Sequence, residues 1–175
     1  MNSQNTRAAL ALVGALALVG GRAVADTSDP WITTKAKITL LTTDGVSATA
    51  VNVDTVNGNV TLHGKVRSEV EKVKAEQAIR QVEGVKGVKN LLQVVPDVEK
   101  KVVNAQDSEI KDKVEAALKA DKSLDGIKVA SVNQGVVLLS GNTPTLEHKL
   151  RALETAYRCD GVRRVASEIV AGNTY

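Results

Sequence analysis

The chain repeats itself. When residues 32–97 are laid over residues 107–171 at an offset of about 77, Gly58 falls on Gly135, Val60 on Val137, Leu62 on Leu139 and Gly64 on Gly141. Gly84 then meets Gly161, Val85 meets Val162, Val88 meets Val165, and Leu92 meets Ile169. Upstream and with small shifts, Ile32, Ala36 and Leu40 lie over Ile110, Val114 and Leu118, and Val51 and Val53 over Ile127 and Val129. Glycines and strand-type hydrophobes that stay in phase across both halves predict the same small unit twice.

Each copy reads as five elements. In the first, Ser28 or Asp29 can cap a helix with Pro30 at its first position, and Ile32, Ala36 and Leu40 form a stripe that ends near Asp44-Gly45. Val51 and Val53, then Asn57-Gly58, then Val60-Thr61-Leu62 predict a β-hairpin with a two-residue turn. Ser68 with Glu71 matches a capping box, and Ala75, Ala78, Ile79 and Val82 recur at helical spacing until Gly84 stops the helix. Val88, Leu92 and Val94 supply a last strand. The second copy has Asp107-Ser108 before its first helix, Gln134-Gly135 at its hairpin and Thr143-Pro144 before its second helix. The expected fold class is therefore α+β: two tandem αββαβ modules, each a three-stranded mixed sheet with two helices packed on one face. About 60 residues can close such a core, though with little to spare. The expected boundaries are 32–97 for the first module, 98–106 for a linker and 107–171 for the second module.

Ahead of the repeat, the apolar run Ala8–Gly20 follows a single cation, Arg7, and leads to Ala23-Val24-Ala25. The run is short for a helix crossing about 30 Å of hydrocarbon and suits the core of a signal peptide. Residues 1–25 are expected to be removed before Asp26, which places the protein in an exported, periplasm-type compartment. Excluding Arg7 and Arg22 from the 23 Lys and Arg leaves 21 cations against 20 acids. That balance, with no Phe, two Tyr and one Trp, lacks the basic stripe and stacking platform of a nucleic-acid binder. A lone cysteine, Cys159, makes no intrachain disulfide, and its spacing from Ala152 and Ala156 favours a small buried residue over a reactive thiol.

Several segments together carry a family resemblance. They are the helix start Trp31-Ile32-Thr33-Thr34-Lys35, the hairpin strand Val60-Thr61-Leu62-His63-Gly64, and the stretch Val82-Glu83-Gly84-Val85-Lys86-Gly87-Val88-Lys89-Asn90-Leu91. Their counterparts are Val136-Val137-Leu138-Leu139-Ser140-Gly141 and Gly161-Val162-Arg163-Arg164-Val165. In order and spacing the chain resembles a protein of two BON domains. The resemblance implies an αββαβ fold per copy, a place in the bacterial envelope, a binding role toward phospholipid or the outer membrane, and no catalytic residues. It carries structural glycines onto Gly64, Gly84, Gly141 and Gly161. The second copy departs from it at Arg164, which replaces Gly87, and at Ala166-Ser167-Glu168, so its last strand is expected to be the less regular.

No segment supports catalysis, a metal or a cofactor. His63 and His148 do not correspond under the repeat, so they are no duplicated metal site and are expected to be structural or solvated. Gly84-Val85-Lys86-Gly87 follows a helix and opens a strand, the reverse of the order in phosphate loops. Local basic clusters remain: Lys111, Lys113, Lys119 and Lys122 about one helix, with Arg163 and Arg164 beyond the next. These six are the candidate contacts to an anionic phospholipid surface, against the plainer reading of a mixed solvated face. Trp31 can pack as a staple at a helix start or sit at a lipid interface. The expected function is a non-enzymatic envelope protein on anionic membranes, in osmotic or envelope stress. The alternative is a periplasmic chaperone or adaptor that binds envelope proteins.

Overall fold

The computed structural model describes residues 28–172; the expected signal peptide lies outside the described residues. In the first half the elements are α1 (Asp29–Thr42), β1 (Val51–Val56), β2 (Asn59–Val66), α2 (Glu69–Arg80), β3 (Gly87–Asn90) and β4 (Gln93–Val94). In the second half they are α3 (Lys100–Ala120), β5 (Ile127–Asn133), β6 (Val136–Thr143), α4 (Leu146–Tyr157) and β7 (Arg164–Ala171). Strand β2 pairs antiparallel with β1 and parallel with β3, and β6 does the same with β5 and β7. The second strand of each hairpin thus becomes the middle of its sheet.

The periodicity of the sequence explains the packing. Ile32, Ala36 and Leu40 of α1 meet Val60 and Leu62 of β2 and Ala75 and Ile79 of α2 in one core. Val114 and Leu118 of α3 meet Val137 and Leu139 of β6 and Ala152 and Ala156 of α4 in the other. At both hairpins the turn residues have left-handed backbones, Asn57 at φ 53° with Gly58 at 79°, and Gln134 at 50° with Gly135 at 74°. That geometry matches the twist of the flanking strands, and it is why the turn takes only two residues.

Three local expectations are corrected. The last strand of the second half is the more regular one: all eight residues of β7 pair with β6. Its counterpart in the first half is split into β3 and β4. The split follows Asn90, whose amide donates to the Lys72 carbonyl and to Glu76 on α2, while its oxygen takes the Leu92 N–H. Ser167, at the equivalent place, is too short to reach the helix and only accepts the Ile169 N–H. Residues 100–106, within the expected linker, are helical and form the first turns of α3, with Val103 buried. Thr143 ends β6 rather than opening α4, and Thr145 is the cap, accepting the His148 N–H. In the expected capping box Ser68 accepts the Glu71 N–H, but the Glu71 carboxylate takes the Arg67 and Ser47 N–H groups instead. Glu71 thereby ties the start of α2 to the loop after α1. Burial pushes its carboxyl up, and the N–H donors outweigh this and hold it below the ordinary range.

The two sheets meet through the faces turned away from their helices. Leu91 of the first half packs against Leu138 and Ala166 of the second. The layers run helices, sheet, sheet, helices.

Candidate functional site

Two aspartates, equivalent under the repeat, position the hairpins. Asp29, the first residue of α1, accepts the N–H groups of Asn57 and Gly58 at 2.7 Å each. Asp107 in α3 accepts those of Gln134 and Gly135 at 2.8 and 2.9 Å. Read from sequence as helix caps, both instead neutralise the exposed donors of a tight turn. Their spacing of 28 residues or so from an Asn-Gly or Gln-Gly pair, found twice, is the signal that points to the contact.

The glycines that the resemblance singles out sit in two environments. Gly64 has φ +136° and Gly141 φ +125°, and a Cβ at either would lie about 2 Å from a backbone oxygen, that of Ala50 or of Gly126. Gly84 and Gly161 have φ of +89° and +88°, beyond the ends of α2 and α4, and a Cβ at Gly161 would meet Ile110 at 2.8 Å.

The six basic residues do not form one patch. Lys111 and Lys113 are two apart on α3 and point to opposite flanks. Lys111 pairs with Glu115 at 3.7 Å and Lys113 with Glu109 at 2.7 Å. Lys113 and Arg163 line one cleft beside Asp107 and Asp160, and Arg163 donates to the Gln134 carbonyl. Lys119 and Lys122, at the far end of α3, and Arg164, at the start of β7, are exposed and have no ion pair among the described residues. Lys119 shares a cleft with Lys128 of β5.

A polar cluster between the sheets was not anticipated. Of the two readings expected for it, structural or solvated, His63 takes the first: it is buried, and its Nε2 donates to Asp54 at 2.9 Å. That hydrogen bond is the main reason the Asp54 carboxyl lies below its usual range. Across the junction Glu168 of β7 is pushed up, chiefly by burial, with the Asp54 charge adding to it and Thr61, His63 and Lys89 pulling back only in part. His63 Nδ1 and Glu168 Oε1 are buried without a hydrogen-bond partner among the described residues. Alternation in β2 put His63 on the face away from the helices, but only the contact between sheets buries it. Cys159 packs at the edge of the second core, and desolvation raises its thiol above the ordinary value. Among the described residues no group of three or more His, Cys, Asp or Glu is placed to hold a metal, and no helix is long and apolar enough to cross a membrane.

The BON domain model matches twice, over residues 28–96 and 106–173. The chain belongs to the BON-domain family. Among curated proteins, this BON-domain chain is 33% identical over 144 residues to osmotically-inducible protein Y of Escherichia coli K12, covering 81% of this chain and 71% of that one. Among solved structures, it aligns with the C-terminal domain of CdsD, the structural protein of the type III secretion system of Chlamydia trachomatis. That alignment covers 79% of this chain and 63% of the other, at TM-score 0.32 and 15% identity. The second BON match begins at residue 106, inside α3, so the first turns of that helix lie outside the domain as the family defines it.

Proposed function

We propose that this BON-domain protein is a non-enzymatic component of the bacterial envelope that attaches to anionic phospholipid surfaces, in osmotic or envelope stress. Export through a signal peptide cleaved before Asp26 belongs to the same reading. Kinship to osmotically-inducible protein Y supports the stress context. The observation that carries the lipid reading is the pair Lys119 and Lys122, which stand exposed at and just beyond the end of α3 with no ion pair among the described residues. Cations near an anionic leaflet contribute about 1 kcal/mol each, so a few suffice for weak, reversible attachment. Lys111, Lys113 and Arg163 contribute less, because their charges or donors are engaged within the fold. Arg164 adds a further free charge at the start of β7. Gly64, Gly84, Gly141 and Gly161 serve the fold rather than the ligand.

Flotation with phosphatidylglycerol vesicles tests this reading. Lys119→Glu with Lys122→Glu is expected to cut binding at least tenfold, and Lys111→Glu with Lys113→Glu to change it less. Equal binding by the first variant and the parent would remove this end of α3 from the site.

A second reading, a protein-binding adaptor or chaperone, draws on the exposed stripe Leu146, Leu150 and Tyr157 along α4. Suppression of aggregation of an unfolded client, lost on Leu150→Ser, is its test.

A further inference from the structure

Helix α1 is apolar on two sides. Ile32, Ala36 and Leu40 enter the core, while Trp31, Ile38 and Leu41 face outward, 43, 56 and 70% exposed. A surface helix ordinarily keeps one apolar stripe and leaves its other face polar. The polar residues interleaved on this outer face are threonines that satisfy themselves: Thr34 donates to the Pro30 carbonyl at 2.9 Å and Thr42 to that of Ile38 at 3.2 Å. Hydroxyls bonded within the helix lose little on leaving water.

Charge complements this face. From Pro30 to Thr43 there is no acid, and Lys35 and Lys37 flank the exposed stripe. Lys35 stands 5.4 Å over the Trp31 ring and also pairs with Glu83 at 2.9 Å. Lys37 lines one cleft with Lys128, beside Asp54, and Lys128 lines the next with Lys119. Lys37, Lys128 and Lys119 thus line adjoining clefts that also hold Asp54, Glu168, Glu115 and Asp125, so the charge beyond α1 is mixed and the cations with no acid along the same stretch are those of α1 after Asp29.

We propose that this face of α1 enters the headgroup layer of an anionic bilayer, with Trp31, Ile38 and Leu41 immersed and the flanking Lys37 over the lipid phosphates. The inference rests on the phospholipid reading and adds to it the element that touches the lipid. Tryptophan beside lysine, bare aliphatic side chains and self-bonded threonines make up an interfacial helix better than a surface for a folded protein partner.

Trp31 is the only tryptophan, so its emission reports this face alone. The purified protein is titrated with phosphatidylglycerol–phosphatidylethanolamine vesicles while flotation and emission are followed. Trp31 emission is expected to move to shorter wavelength as the protein binds, and to be quenched by lipids brominated near the headgroup. Ile38→Ser with Leu41→Ser, both exposed positions, should keep the parent's melting curve and weaken binding at least about tenfold, the factor for losing the burial of one aliphatic side chain or more. Flotation with unchanged emission, or a variant that binds like the parent, overturns the inference and leaves the phospholipid reading standing. A parent that does not float at low salt overturns both. A shift in emission that depends on protein concentration without vesicles assigns the face to a second copy of the chain and also overturns it.

Discussion

Lys65 of β2 holds Asp107 of α3 at 2.7 Å across the junction of the two modules, with both side chains largely buried. The same carboxylate secures the second hairpin through Gln134 and Gly135, so one residue links the internal fold of a module to its packing against the other. Its counterpart Asp29 secures only a hairpin. Asp107→Asn is therefore expected to cost about 2–4 kcal/mol, because it weakens two charged hydrogen bonds and leaves Lys65 with only Asn104. Asp29→Asn should cost less, about 1–2 kcal/mol. Denaturant melts of the two variants compare them; equal losses would show that the Lys65 contact contributes nothing.

Gly64 and Gly141 are held by the approach of another backbone. Alanine at either adds left-handed strain and a Cβ about 2 Å from a carbonyl oxygen, and a loss of about 2–5 kcal/mol follows. The repeat supplies the control. Gly87 has an ordinary φ and occupies the place of Arg164 in the second copy, and its nearest obstacle is the mobile side chain of Asn59. Gly87→Ala should melt within a few degrees of the parent, while Gly64→Ala and Gly141→Ala fall well below it. Comparable melts for all three would refute the steric account.

The sequence made the modules legible because each element is specified by neighbours in the chain: a four-residue stripe in α1, the Asn57-Gly58 turn, the helix stop at Gly84. What it hid depends on contacts between distant segments. The acids Asp29 and Asp107 look like caps until the hairpin folds back onto them. His63 reads as structural or solvated until a second sheet covers it, and the lysines about α3, which helical spacing spreads over more than one face, do not show in sequence which of them a carboxylate engages. Arg164 and Ser167 point to an irregular last strand in the second half, whereas the side chain that reaches a helix and splits the strand is Asn90 in the first.

Glu168 gives the junction a dependence on pH. Its carboxyl is raised in the folded protein, so its contribution to stability is full below the unfolded value near 4.5 and is lost as the pH rises through the folded one. Its Oε1 is buried with no hydrogen-bond partner among the described residues, which disfavours the charged form further. Glu168→Gln should thus raise the melting temperature at pH 7 by a few degrees, the shift that ~1 kcal/mol produces in a chain of this size. The gain should vanish as the pH falls below 4. A variant less stable than the parent at pH 7 would show that the charge is needed at the junction.

Attachment to anionic phospholipid is tested most directly by flotation of the unaltered protein with vesicles of phosphatidylglycerol and of phosphatidylcholine over a range of salt. Charges at a surface interact over about 10 Å at 0.1 M salt and about 3 Å at 1 M. The protein should float with phosphatidylglycerol at low salt, lose most of that binding as salt is raised toward 1 M, and remain in the dense fraction with phosphatidylcholine throughout. Equal flotation with both lipids, or none with phosphatidylglycerol at low salt, would contradict the account.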